Sequence, residues 1–306
     1  MKILISDKLD EEGIKIFQEN GFEVDKNFTI TPEDLAEKIK DYDAIVIRSR
    51  TKLTAKILEN AKNLKVIGRA GVGLDNIDLQ KADELKIKVL NTPEAPSVSV
   101  AELTVGFMLS HARYITKADK TMHEGKWCKN DYTGNTLKGK KLGLIGFGNI
   151  GQAVAKRCAA FEMEVGIFEI LPELKEKARN LGYTVYPSIE DLIKNVHFIS
   201  LHVPANKLTE NLINEDKIKL MNENTVIINT GRGKLIDEKA LINALKNKKI
   251  AGAALDVFRE EPLKNEELYS IDENLILTPH IGSSTEETQT SAAIGIAEKI
   301  SDYLKK

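Results

Sequence analysis

Three glycines, Gly146, Gly148 and Gly151, are spaced G-x-G-x-x-G between an apolar run at 141–147 and a run of helix formers at 152–161. At a strand-to-helix turn this spacing has a physical meaning. The first glycine permits the tight turn, and the second admits a pyrophosphate close to the backbone. The third lets helix and strand pack closely, with the phosphates facing the helix N-terminus. Glycine-rich turns alone are common, but here a second strand, 164–170, follows and ends in an acid. Glu169 stands eighteen residues after Gly151, where a ribose 2′-hydroxyl needs an acceptor. The context predicts a dinucleotide-binding protein.

At 306 residues the chain is long enough for two domains with their own cores. A net charge of −2 gives no field for a polyanion, so no nucleic-acid partner is expected. The lysines are interleaved with acids and read as solvated faces. Cys128 and Cys158 have no ligand-like spacing, which predicts neither a disulfide framework nor a metal site and fits a reducing cytoplasm. Residues 1–6 form a strand-like run rather than a signal peptide, and no apolar run approaches the roughly 20 residues of a membrane span. The expectation is a soluble cytoplasmic protein with no membrane partner.

Along the first ninety residues, strand signals at 2–6, 22–25, 44–48, 65–69 and 88–90 alternate with helix signals at about 10–20, 31–40, 54–61 and 77–85. Short apolar strands separated by helices predict a parallel sheet covered on both faces. Residues 91–99 hold two prolines and suit a crossing between domains; 100–122 then reads as one long helix, apolar on most sides. From Lys140 a second strand–helix series runs to 277, with strands at 142–147, 164–170, 183–186, 197–203, 225–230, 250–257 and 275–278. The last helix, 284–303, is too little for a third domain and is expected to return to the first. The predicted fold is α/β: a doubly wound parallel-sheet (Rossmann) nucleotide domain, 92–281, inserted into a smaller flavodoxin-like α/β substrate domain, 1–91 and 282–306. The active site is expected in the cleft between them. An apolar helix at 100–122 needs more cover than one domain offers, which predicts a homodimer.

Ligands of an open parallel sheet gather at the carboxyl ends of its strands. Arg232 follows one such strand in N-T-G-R-G, Glu261 another in L-D-V-F-R-E-E-P, and His280 a third in T-P-H-I-G-S-S. Reduction of a keto acid needs a hydride donor, a proton donor near neutral pH and a cation for carboxylate and carbonyl. A histidine beside a carboxylate supplies the second, and an arginine the third. His202, ending the strand of L-H-V-P, reads as a cofactor contact or a packing group. His111, His123 and His197 read as structural. Asp256 ends a buried strand where an unpaired carboxylate is costly, and a nicotinamide carboxamide would suit it as partner.

The motifs V-I-I-N-T-G-R-G-K-L-I-D-E-K-A-L, A-A-L-D-V-F-R-E-E-P and T-P-H-I-G-S-S-T, with G-R-A-G-V-G-L-D-N-I-D and V-A-E-L-T-V-G earlier, resemble the signatures of the D-isomer-specific 2-hydroxyacid dehydrogenases over nearly the whole chain. The resemblance implies an NAD-dependent enzyme with His280 as acid/base, Glu261 as its partner and Arg232 as the substrate-orienting cation. It also implies cofactor contacts at Val72, Asn149, Ile150, Glu169, Val203, Thr230, Asp256 and Gly282; Gly146, Gly148, Gly151, His202, Pro204, Gly231, Arg232, His280 and Ser283 are further candidate cofactor contacts. Backbone at Val72 and Gly73 would meet the substrate carboxylate.

Within the family the chain is most similar to members acting on D-3-phosphoglycerate, which implies a phosphorylated 2-hydroxy or keto acid as substrate and a place in serine biosynthesis. I-V-I-R-S-R-T-K-L carries this: Arg48, Ser49 and Arg50 offer two guanidinium forks and a hydroxyl to a phosphate. The bland alternative is that one arginine pairs with a nearby acid such as Asp43. Arg69 is a further candidate, and Lys129 a candidate reaching across from a second subunit. Glu169 stands where Asp is usual, and Ile170-Leu171-Pro172 offers no cation for a 2′-phosphate, so NAD is expected over NADP. A chain ending at Lys306 is expected to lack the serine-binding regulatory domain of longer members. Two rival functions remain open at this point: a glyoxylate or hydroxypyruvate reductase, and a non-enzymatic NAD-sensing scaffold.

Overall fold

Five short strands open the chain: β1 (Lys2–Ile5), β2 (Glu23–Lys26), β3 (Ala44–Ile47), β4 (Val66–Arg69) and β5 (Lys88–Asn91). In the computed structural model, which describes residues 1–272 and 274–306, they form one parallel sheet in the order β2-β1-β3-β4-β5, the flavodoxin-like order. All four residues of β3 are buried, as expected of a strand covered on both faces. Local chemistry starts the helices between strands. Asp10, Thr31 and Asp78 each accept a backbone N–H of the first turn, and Pro32 follows Thr31 where a missing N–H costs nothing.

One face of this sheet is covered by the helices Glu11–Glu19 and Glu286–Leu304. A Cβ at Gly13 would lie 2.5 Å from the Ala293 carbonyl oxygen, so only glycine lets these two helices approach. Ala293, Ile296, Ala297 and Ile300 thereby share a core with Ile3, Ile5 and Phe17. Met1–Ser97 and Ser283–Lys306 make up this first compact unit, and Val98–Gly282 the second.

The second unit contains β6 (Lys141–Ile145), β7 (Glu164–Phe168), β8 (Thr184–Val185), β9 (Phe198–Leu201), β10 (Val226–Asn229), β11 (Gly252–Leu255) and β12 (Leu275–Leu277). They pair parallel in the order β12-β11-β10-β9-β6-β7-β8, winding outward in both directions from the β6/β9 pair. That pair is the topological switch point of a Rossmann sheet, where a ligand crevice opens at the carboxyl ends. Leu142, Leu144, Val154 and Cys158 pack on one face, and Ile145, Ile199, Ile227 and Leu241 on the other. Burial pushes the Cys158 thiol up to about 12, which makes it a packing group. No helix among the described residues is long and apolar enough to cross a membrane.

The expectation of one helix over 100–122 is corrected. Two helices stand there, Ser97–Arg113 and Ile115–His123, separated by Tyr114 in the left-handed region at φ +55°. A left-handed residue cannot continue the helical hydrogen-bond ladder. Neither Gly nor Pro marks the break; instead the Tyr114 ring meets Tyr132 at 6.1 Å and the Lys117 ammonium at 5.6 Å. The first helix buries Val100, Ala101, Thr104, Val105, Phe107 and Met108, whereas the second buries nothing.

Candidate active site

At the switch point the three glycines do different work. Gly146 has φ +99°, and a Cβ there would lie 2.4 Å from the His202 carbonyl oxygen. A Cβ on Gly151 would lie 2.3 Å from the Gly146 carbonyl oxygen. At Gly148, the N-cap of the helix Asn149–Ala160, a Cβ would meet nothing within 4 Å. The turn is therefore closed behind and open in front, facing the first-turn N–H groups of Asn149 and Ile150. That is a cradle suited to a pyrophosphate.

Glu169 is buried just past β7. One carboxylate oxygen accepts from Phe147 N at 2.8 Å, the other from Ile170 N at 2.7 Å and Leu171 N at 3.1 Å. The side chain thus braces the glycine turn as well as standing beside it. A carboxylate has about four acceptor positions, so one is left for a ribose hydroxyl. Glu169→Ala is expected to weaken NADH binding by about 1.5–3 kcal/mol, the worth of one charge-assisted hydrogen bond, and to narrow the gap to NADPH in a fluorescence titration. Equal use of both cofactors by the unaltered protein would contradict this role.

His202 bonds Ser200 through Nε2 at 2.8 Å, while its buried Nδ1 has no partner. Burial alone pulls its pKa down to about 4, so the ring stays neutral near pH 7 and is no proton carrier. Its carbonyl and the Val203 side chain wall the Gly146 turn, and Pro204 is exposed beyond them. The remaining histidines have structural partners: His111 the Ala253 carbonyl, His197 the Lys141 N–H, and His123 the Asp119 carboxylate.

The acid pair is formed. His280 Nδ1 lies 2.7 Å from Glu261 Oε2, and Glu261 Oε1 accepts from Phe258 N at 3.1 Å. Glu260, the neighbouring acid, pairs with Lys264 instead. The Glu261 bond is the largest influence on His280 and holds its pKa above the ordinary 6.5 against burial. Burial opposes the Glu261 charge, but the His280 and Phe258 bonds, with the charges of His280 and Arg232, leave it below the ordinary 4.5. A carboxylate only accepts, so Nδ1 carries a proton and Nε2 is the nitrogen left to exchange one.

Arg232 is brought to this pair by its turn. Asn229, at the end of β10, accepts from Gly231 N and donates to the Arg232 carbonyl. A Cβ on Gly233 would fall 1.9 Å from the Phe258 carbonyl carbon, so glycine is required where this turn packs on the segment leading to Glu261. Asn229 and Gly233 escaped the sequence reading; the N-T-G-R-G string contained them, but their role depends on a neighbouring strand. Thr230 donates to Thr104, whose own proton is spent on the Val100 carbonyl.

Asp256 already has partners within its unit. It is 1% exposed and accepts from Thr278 Oγ1 at 2.6 Å, Ile281 N at 2.8 Å and Gly282 N at 2.8 Å. The carboxylate clamps the loop carrying His280, which sits in the left-handed region at φ +53°. Ser283, half-buried, follows that loop and belongs to the first unit.

In the first unit, Gly71 N donates to Thr92 Oγ1 and the Val72 carbonyl accepts from Asn91 Nδ2, fixing the backbone ahead of Gly73. Arg69 is half-buried and reaches the Ala70 carbonyl at 3.4 Å. The R-S-R cluster is divided. Arg50, its side chain 50% exposed, is bonded within the unit: Nε meets Asp7 at 3.0 Å, one terminal nitrogen reaches the Ile30 carbonyl at 3.3 Å, and the other meets the Ser6 carbonyl. The Arg50 fork is thus engaged with a buried acid and two carbonyls. The acid is Asp7, not Asp43, which pairs with Lys65. The Arg48 side chain makes long contacts among the described residues, at 3.4 Å to the Lys8 carbonyl and 3.5 Å to Gln289, and Ser49 is exposed beside it. Lys129 is exposed in the second unit.

Residues 105–282 match the NAD binding domain of the D-isomer specific 2-hydroxyacid dehydrogenases. The whole chain is 49% identical over 306 residues to D-3-phosphoglycerate dehydrogenase of Methanocaldococcus jannaschii, and spans 58% of that relative's length. It is 45% identical over 303 residues to hydroxypyruvate reductase of Thermotoga maritima, covering 98% of this chain and 97% of that one. A Thermus thermophilus protein of known structure superposes with a TM-score of 0.88 at 32% identity, covering 100% of this chain and 97% of its own.

Proposed function

Since this chain belongs to the D-isomer-specific 2-hydroxyacid dehydrogenases, we propose that it interconverts a D-2-hydroxy acid and its keto acid, physiologically D-3-phosphoglycerate and 3-phosphohydroxypyruvate, with NAD. The observation that carries the chemistry is the His280–Glu261 pair beside Arg232, at the carboxyl ends of β10, β11 and β12 in a sheet that also builds the glycine cradle. A bound nicotinamide supplies or accepts the hydride. In reduction, protonated His280 gives its Nε2 proton to the carbonyl oxygen, and Glu261 steadies the charged ring until that transfer. Arg232 holds the substrate by its always-charged planar fork. In oxidation, neutral His280 takes the hydroxyl proton.

The phosphorylated substrate places this enzyme at the entry to serine biosynthesis, with Arg48 and Ser49 receiving the phosphate. Arg48→Ala is expected to lower kcat/KM for 3-phosphohydroxypyruvate by about 1.5–3 kcal/mol and to leave hydroxypyruvate nearly unchanged, since remote binding energy is lost only where the phosphate exists. The decisive experiment compares kcat/KM for 3-phosphohydroxypyruvate, hydroxypyruvate and glyoxylate with NADH. A second reading, hydroxypyruvate reduction, is favoured by the commitment of Arg50 to Asp7, which leaves one arginine of the pair for an anion. Turnover of any of the three excludes a purely sensing scaffold.

A homodimer is part of the proposal. The helix Ile115–His123 buries none of its residues, and Ile115, Met122 and Trp127 are exposed about it. Sedimentation at micromolar concentration is expected to show a dimer; a monomer would end the claim.

A further inference from the structure

Asp7 lies just beyond β1, 4% exposed, and its carboxylate accepts four hydrogen bonds from one short loop. Arg48 N donates at 2.6 Å, Arg50 Nε at 3.0 Å, Thr51 N at 3.2 Å and Thr51 Oγ1 at 2.7 Å. The same loop is held from its carbonyl side by Asn76, whose Nδ2 donates to the Arg48 carbonyl at 2.7 Å and the Thr51 carbonyl at 2.6 Å. Both kinds of backbone group at Arg48 and Thr51 are thus satisfied by side chains from elsewhere in the unit. An acid buried to this degree is costly unless every lone pair is used, and here the loop uses them.

This arrangement sorts the loop's side chains. Asp7 holds the half-exposed Arg50 guanidinium, which ties the loop to the Ser6 and Ile30 carbonyls. The Arg48 side chain, half-buried, meets no such acid among the described residues and is held by contacts of 3.4 and 3.5 Å, with Ser49 exposed next to it. A guanidinium that recognises an anion gains most when its backbone is already fixed, because less freedom is lost on binding.

We propose that Asp7, assisted by Asn76, is the positioning residue for the substrate's phosphoryl end: it holds the Arg48–Thr51 loop so that Arg48 and Ser49 form the anion receptor while Arg50 serves as its internal tie. The inference rests on the reading of the substrate as a phosphorylated keto acid. Asp7 touches neither phosphate nor reacting atoms; it acts through the loop.

The test is steady-state reduction by the full chain of 3-phosphohydroxypyruvate and of hydroxypyruvate with NADH, for the unaltered protein, Asp7→Asn and Asn76→Ala. Asp7→Asn keeps the volume but replaces two acceptor oxygens by one oxygen and a donor. It is expected to lower kcat/KM for the phosphorylated substrate about tenfold, through KM, the size of one charge-assisted bond lost or misaligned. kcat/KM for hydroxypyruvate and the NADH dissociation constant should stay within about twofold, a shift well under 1 kcal/mol. Asn76→Ala, which leaves the buried charge in place, should show the same split more weakly and keeps the test open if Asp7→Asn fails to fold. Equal losses on both substrates, or no loss on either, would overturn the role of Asp7. An unaltered protein that does not discriminate between the substrates would instead overturn the phosphate reading, and this inference with it.

Discussion

Replacing His280 by Ala is expected to lower kcat for keto-acid reduction by about 10²–10⁴, the usual contribution of a positioned proton carrier, while NADH affinity changes little. The expectation rests on the 2.7 Å bond to Glu261, which fixes the Nδ1 proton and leaves Nε2 to exchange its own. Only protonated His280 can donate, and its pKa lies above 6.5 because of Glu261. Reduction should therefore be flat below about pH 6.5 and decline as pH rises through the raised value. Oxidation should show the opposite limb. The pair has a matching signature in stability. The His280 share is fully present below 6.5 and lost as pH rises through the folded value, and the Glu261 share is present above 4.5 and lost as pH falls through its lowered one. Near-normal turnover by His280→Ala would remove the mechanism, and Glu261→Gln should move the alkaline limb toward lower pH.

Asp256→Ala is expected to be the most destabilising single change at the site. It strands three donors at once, the Thr278 hydroxyl and the Ile281 and Gly282 N–H groups, each worth about 1–3 kcal/mol when left unpaired. A loss of about 3 kcal/mol is expected, with water making good part of the remainder, and a melting temperature lower by about 6–12 °C for a unit of this size. The functional consequence follows from the backbone. His280 holds a left-handed conformation that costs about 1–2 kcal/mol for a residue with a Cβ, and the clamp on either side of it is what over-determines that state. Released, the loop should relax and carry the imidazole away from Glu261, so kcat should fall together with stability. Calorimetry and single-turnover reduction on the same variant check both. Unchanged melting with unchanged kcat would show that water satisfies the loop equally well.

Much of this was legible in residue order. The alternation of short apolar runs with capped helices set two parallel sheets, since such strands are stable only when buried on both faces. Gly146, Gly148 and Gly151 announced their turn because a tight approach of backbone to backbone excludes any Cβ, a local requirement. Arg232, Glu261 and His280 stand out in the sequence because chemistry at an open parallel sheet gathers where strands end, and each stands just past one. The break at Tyr114 was hidden, since no local breaker marks it and its ring contact lies eighteen residues further on, at Tyr132. The division of Arg48 from Arg50 was equally hidden. The register that sets Ile5 beside Val46 carries Asp7 to the Arg48 backbone, across 41 positions of sequence. A turn's shape is decided by the residues within it. The partner of a long charged side chain, or of a buried carboxylate, is decided by which acceptors and donors strand pairing brings near, and that exists only once the sheet has formed.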